Sequence, residues 1–163
     1  MLTPRQVLIA VLVIGGSVIG GALLFEYAGG LEPCELCLLE RWPYYVGVPL
    51  AAVALTTGAR GAGWWIALLS LVFLVSAGLG AYHVGVEHGW IQGPTACTGP
   101  SGASAKTAEE FARMIEQRQA VQCDQVPWSL MGISLAGYNF LASLLLVLLC
   151  ASGFGHLLRE RRA

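Results

Sequence analysis

The chain has 163 residues, a single-domain length, and 56% of them are hydrophobic while only 12% are charged. A water-soluble fold of this size has no interior large enough to hide so much apolar surface, so the bilayer is the expected solvent. The net charge of −1 and scattered basic residues leave no stripe for a phosphate backbone, and a nucleic-acid partner is excluded from the expected functions.

The first apolar run, from about Val7 to Phe25, carries no charge across 19 residues. At about 1.5 Å per residue that crosses a hydrocarbon core about 30 Å thick. Arg5 ahead of it and the small residues behind it also fit a cleaved signal peptide, but the length favours an anchor. The second run, Trp42 to Thr57, becomes a full crossing if its helix starts near Glu35 and carries Cys37 and Arg41 at its outer end, with Pro43 and Pro49 kinking it. After a tight connection from Gly58 to Gly63, a third run extends from Trp64 to about Val86, with Trp64 and Trp65 as interfacial anchors. The segment from Glu87 to Trp128 holds a capping-box pattern, Thr107 to Glu110, ahead of Ala108, Phe111, Ala112 and Ile115 at helical spacing. A short amphipathic helix is expected there, either on the membrane surface or as a solvated loop helix. The fourth run covers Leu130 to Ser152. The expected fold is an all-α membrane protein, a four-transmembrane-helix bundle forming one domain over 1–163. Its spans lie at about 7–25, 38–57, 64–86 and 130–152, and its outer loops at about 26–37 and 87–129.

Four spans put both termini on one side. That side and the 58–63 connection hold Arg5, Arg60, Arg159, Arg161 and Arg162, whereas every acid except Glu160 falls in the other segments. The termini are therefore expected in the cytoplasm and the outer loops on the opposite, outward face of the membrane.

Of five cysteines, Cys34, Cys37, Cys97 and Cys123 lie in the outer segments, where disulfides form and persist. Cys34-Glu-Leu-Cys37 brings two sulfurs within one helical turn, suited to a readily exchanged disulfide. A helix start lowers the pKa of a nearby thiol, which makes Cys37 the candidate reactive thiolate. Arg41, one turn further on, can pair with that thiolate or with an anionic reduced cofactor. His88, at the outer end of the third span, can hydrogen-bond a quinone carbonyl or deliver a proton, or be an ordinary interfacial histidine. His83 and His156 read as structural or surface residues, and Cys150 as inert core packing. A structural zinc site would need a second knuckle that Cys97 and Cys123 do not make, so no metal is assigned. A bis-histidine haem lacks facing histidines at matching depth. A purely structural disulfide framework is the blander reading, and the spacing alone does not choose among three pairings.

At Cys34-Glu-Leu-Cys37-Leu-Leu-Glu-Arg41 the chain resembles the DsbB family, bacterial inner-membrane proteins that reoxidise the periplasmic thiol oxidase DsbA with quinone. Glu87-His88, Cys97, Cys123 and the stretch from Pro127-Trp128-Ser129 to Asn139 extend the likeness over nearly the whole chain. The resemblance implies that reduced DsbA attacks Cys97, that Cys123 then attacks the first pair at Cys34, and that Cys37 contacts the quinone ring in a charge-transfer complex. Arg41 would stabilise the developing negative charge, with His88 nearby. The implied cofactor is quinone, ubiquinone favoured over menaquinone. The implied partners are a DsbA-like periplasmic thioredoxin-fold oxidase, the membrane quinone pool and membrane lipid. DsbA sits at about −120 mV, so the acceptor must be more oxidising still. Two rival functions are a transmembrane reductase carrying electrons outward and a non-enzymatic scaffold braced by its disulfides. The first would need cysteines within the membrane or on the cytoplasmic side, where only Cys150 stands.

Overall fold

The computed structural model describes residues 2–57, 61–94, 107–109, 112 and 122–160. Helix α1 spans Pro4–Tyr27. Thr3 caps it by a reciprocal box with Gln6, and Pro4 occupies the first position, where its missing N–H costs nothing. Helix α2 spans Glu35–Thr56 and runs through Pro43 and Pro49. Helix α3 covers Ala62–Glu87. A two-stranded antiparallel hairpin follows, β1 Ser129–Leu130 and β2 Ile133–Ser134, and leads into helix α4, Leu135–Glu160.

The hairpin delays the last helix to Leu135, beyond the expected start near Leu130. Its turn residues Met131 and Gly132 both have positive φ, 53° and 79°, the requirement of a type I′ connection. Ser134 then closes the junction, accepting from Gly137 N at 3.1 Å and donating its hydroxyl to Glu87 at the end of α3.

Helix α1 packs on α2, α2 on α3, α3 on α4, and α4 returns to α1, closing a ring of four helices. The α3–α4 contact is the most extensive. Its close approach depends on Gly80, where a Cβ would come within 3.0 Å of the Phe140 backbone. The core joins Val7 and Val11 of α1, Tyr44 and Ala51 of α2, Ile66, Leu69 and Phe73 of α3, and Leu146 and Cys150 of α4.

Polarity is inverted relative to a soluble bundle. Large apolar side chains such as Val13, Leu71, Leu74, Leu145 and Leu148 point outward, while Glu40, Ser76, His83, Asn139 and Ser143 are buried. Tyr44 Oη donates to Ser143 Oγ at 2.7 Å and Ser143 donates to Ser76 Oγ at 2.9 Å, tying α2, α4 and α3 together. Such interhelical bonds contribute about 0.6 kcal/mol each in a membrane, so they fix register more than stability. Helices α1, α3 and α4 are long and apolar enough to cross a bilayer. Helix α2 carries Glu40 and Arg41 in its second turn.

Candidate active site

Helix α2 begins at a cysteine. Cys34 is its N-cap in extended conformation, and its sulfur takes the place usually held by a serine or aspartate oxygen, accepting from Cys37 N at 3.2 Å. The same cap geometry sets the two sulfurs 2.8 Å apart, Cys34 Sγ donating to Cys37 Sγ. Donation to its neighbour, and then burial, push the Cys34 thiol up to about 12. The bond received from Cys34 draws the Cys37 thiol below its ordinary value, against the opposing effect of burial. Of the two sulfurs Cys34 therefore holds its proton the more tightly, and negative charge is favoured on Cys37, in the first turn ahead of the apolar stretch.

One helical turn beyond Cys37 lies Glu40, buried and turned inward. Its Oε1 is 2.8 Å from His83 Nδ1 on α3, and the other ring nitrogen, Nε2, is 3.7 Å from Cys34 Sγ. A chain therefore runs carboxylate, imidazole, thiol, thiolate. Sequence reasoning missed both Glu40 and His83. The available signal was position: an ionisable residue inside an apolar span is a functional candidate by default.

Cys123 is fully buried in one cluster with Cys34, Leu36 and Val86, packed against Cys37 and Tyr82. Its segment is fastened by Trp128, whose ring lies 4.8 Å from that of Phe25 on α1 and 6.3 Å from that of Tyr138 on α4. Cys97 lies outside the described residues, as do Phe111 and Ile115 of the expected amphipathic helix. His88 is the C-cap of α3, exposed and stacked on Trp90, and does not line the cavity described below. Cys150 is buried in the bundle core, and His156 is half-buried near the end of α4.

On its other side Cys37 faces a cavity of about 330 Å³ between α1, α2 and α4, walled by apolar side chains including Phe25, Leu31, Trp128 and Leu135. Glu40, Arg41, Tyr44 and Asn139 supply its polar points. Arg41 is ion-paired with Glu26 of α1. Asn139 Nδ2 is buried, lies toward Glu40, and meets no hydrogen-bond geometry among the described residues.

The model for the family described as "Disulfide bond formation protein DsbB" matches residues 4–153. The chain belongs to the DsbB family. The Disulfide bond formation protein B of Verminephrobacter eiseniae is 33% identical over 159 residues, covering 90% of this chain and 84% of that protein. That of Acidovorax sp. is 31% identical, covering 93% of this chain and 91% of that protein. Disulfide bond formation protein B 1 of Pseudomonas aeruginosa is 29% identical, with 86% and 88% covered. No solved structure matches. As a DsbB-family member the chain is an oxidoreductase of disulfide formation that reoxidises a DsbA-like thiol oxidase, and the family works with quinone.

The residues present suit that cofactor. A quinone head is flat and apolar with two carbonyl acceptors, and this cavity offers apolar walls, the buried Asn139 amide and the Arg41 guanidinium, lining the same space as Cys37.

Proposed function

We propose that Cys34 and Cys37 form the membrane-side redox pair and Cys97 and Cys123 the donor-side pair of a thiol relay. One observation carries this reading: Cys37 bonds Cys34 on one side and lines the cavity on the other, while Cys123 is buried against the same pair. The Cys123 thiolate, freed when the DsbA-like donor attacks Cys97, attacks Cys34 Sγ. A Cys34–Cys123 bond forms, the Cys34–Cys37 bond breaks, and the electron pair settles on Cys37 at the start of α2. The donor's second thiolate then attacks its own sulfur in the mixed disulfide, leaving as oxidised donor and freeing Cys97, whose thiolate attacks Cys123, restores the donor-side disulfide and releases Cys34. Quinone, expected as ubiquinone, supplies the two-electron acceptor when bound. Asn139 and Arg41 hold its oxygens, and the apolar walls keep water from the Cys37 sulfur.

We further read α2 as the fourth span, since its charged residues gather in its first turns: Glu35 is exposed at the helix start, Glu40 is buried and Arg41 pairs with Glu26. Both termini are then cytoplasmic and the four relay cysteines periplasmic, the orientation that the arginine distribution favours.

The test mixes purified protein, a reduced thioredoxin-fold oxidase and a soluble quinone, and follows quinone absorbance. Wild type turns over; Cys37→Ser and Cys97→Ser stay at background. Quinone reduction by Cys37→Ser at the wild-type rate would overturn the assignment.

A further inference from the structure

The relay proposed above leaves a buried pair unexplained. Glu40 and His83 are 7% and 2% exposed. Burying two ionisable groups carries a desolvation penalty that a leucine pair packed in the same place would avoid. The pair touches one reacting atom. His83 Nε2 stands 3.7 Å from Cys34 Sγ, and Nδ1 stands 2.8 Å from Glu40 Oε1.

We infer that His83 is the acid–base catalyst for Cys34, and that Glu40 is the positioning residue that fixes its ring. The inference rests on the relay reading. When Cys97 attacks Cys123 in the Cys34–Cys123 disulfide, the sulfur–sulfur bond breaks and its electron pair goes to Cys34. His83, entering as imidazolium, passes the Nε2 proton to that sulfur and is left neutral, with its Nδ1–H donated to the Glu40 carboxylate. When the first pair closes again, Cys34 returns the proton to Nε2 as its sulfur bonds Cys37, and the two electrons leave for a quinone-class acceptor. The Cys34 proton thus cycles between its sulfur and His83, and the two protons that the acceptor takes up on reduction are balanced by the two that the donor dithiol releases on oxidation.

The need for such a group follows from the site. Cys34 is the sulfur whose thiol is pushed up, so as a bare thiolate it is a poor leaving group, whereas Cys37 leaves without help. Assistance from a positioned acid or base is worth about 10²- to 10⁴-fold in rate. Among the described residues the other titratable groups around the pair are Cys34, Cys37 and Cys123, Tyr44 one turn beyond Glu40 on α2, and Glu87 at the end of α3, which acts on Glu40. Helix α4 contributes the uncharged Asn139, and Arg41, the residue after Glu40, is ion-paired with Glu26.

The experiment is a quinone-free single turnover. Oxidised protein is mixed with a reduced thioredoxin-fold oxidase across pH 6–10, and acid-quenched thiols are mapped by mass spectrometry. Wild type is expected to exchange with an alkaline limb where the imidazolium is lost. His83→Gln keeps the side chain's reach but has no titratable proton to transfer, so it should slow release of the Cys34 thiol by about 100-fold at pH 7 and abolish the limb. Glu40→Gln should shift the limb to lower pH, because the imidazolium loses its compensating carboxylate. A purely packing role would lower the rate of either variant without moving the profile. Wild-type rate and limb in His83→Gln overturn the inference. If that variant does not fold, an unmoved limb in Glu40→Gln overturns it alone. Absence of exchange in wild type would instead sink the relay.

Discussion

Cys34 and Cys37 are the same residue three positions apart, yet the start of one helix makes opposites of them. Cys34 sits outside the first turn with its sulfur as cap, giving away its proton's hydrogen bond; Cys37 sits inside the turn and receives it. That asymmetry was legible, because a helix beginning at Glu35 puts the second cysteine where a thiolate is favoured. The histidines were not equally legible. His88 stands beside the familiar Glu87, but spacing along one helix does not reveal which face meets the neighbouring helix, and His83 is the one turned inward. Arg41 is the residue whose role is most directly tested by binding. Removing one charge-assisted bond to an anionic oxygen costs about 1.5–3 kcal/mol, so Arg41→Ala should raise the apparent KM for quinone about tenfold or more. A titration of initial rate against quinone checks this, and an unchanged KM would remove Arg41 from the cavity's function.

The helices themselves declared where they run, since long uncharged segments admit few alternatives to a spanning helix. The hairpin did not. Strands of two residues have no period to detect, and Met131 at positive φ gives no compositional warning, so only Gly132 hinted at a turn. The consequence is local but important: the hairpin and Trp128 set the ends of α3 and α4 and thereby hold the Cys123 segment over the first pair. The α3–α4 contact carries His83 on one side and Asn139 on the other. Gly80 lets these helices touch, with the Phe140 backbone 3.0 Å from any added Cβ. Backbone cannot swing aside as a side chain does. Gly80→Leu should therefore cost about 1–3 kcal/mol or more, read as a lowered thermal midpoint in detergent alongside slowed thiol exchange. A midpoint equal to wild type would mean the helices are not held at this distance.

The whole molecule is a bundle with its polar groups inside and its apolar surface out, which a chain with 56% hydrophobic residues can maintain only in lipid. Its sparse charges then do two separate jobs. Arginines near the termini argue for orientation, and Glu26, Glu40 and Arg41 line a cavity between helices. Composition and charge counting reveal the first job without any structure. The second depends on long-range contacts, such as Glu40 with His83 forty-three positions later, that no local pattern encodes. The same holds for the packing of Cys123 against Cys34 and Cys37, on which electron transfer between the two outer segments depends. The direct test is a Cys37→Ser, Cys97→Ser variant in membranes, mildly oxidised and mapped by peptide mass spectrometry. We predict that Cys34 and Cys123 become joined to each other within one chain in nearly all molecules. Recovery of both as thiols, or joined only to other chains, would contradict the relay.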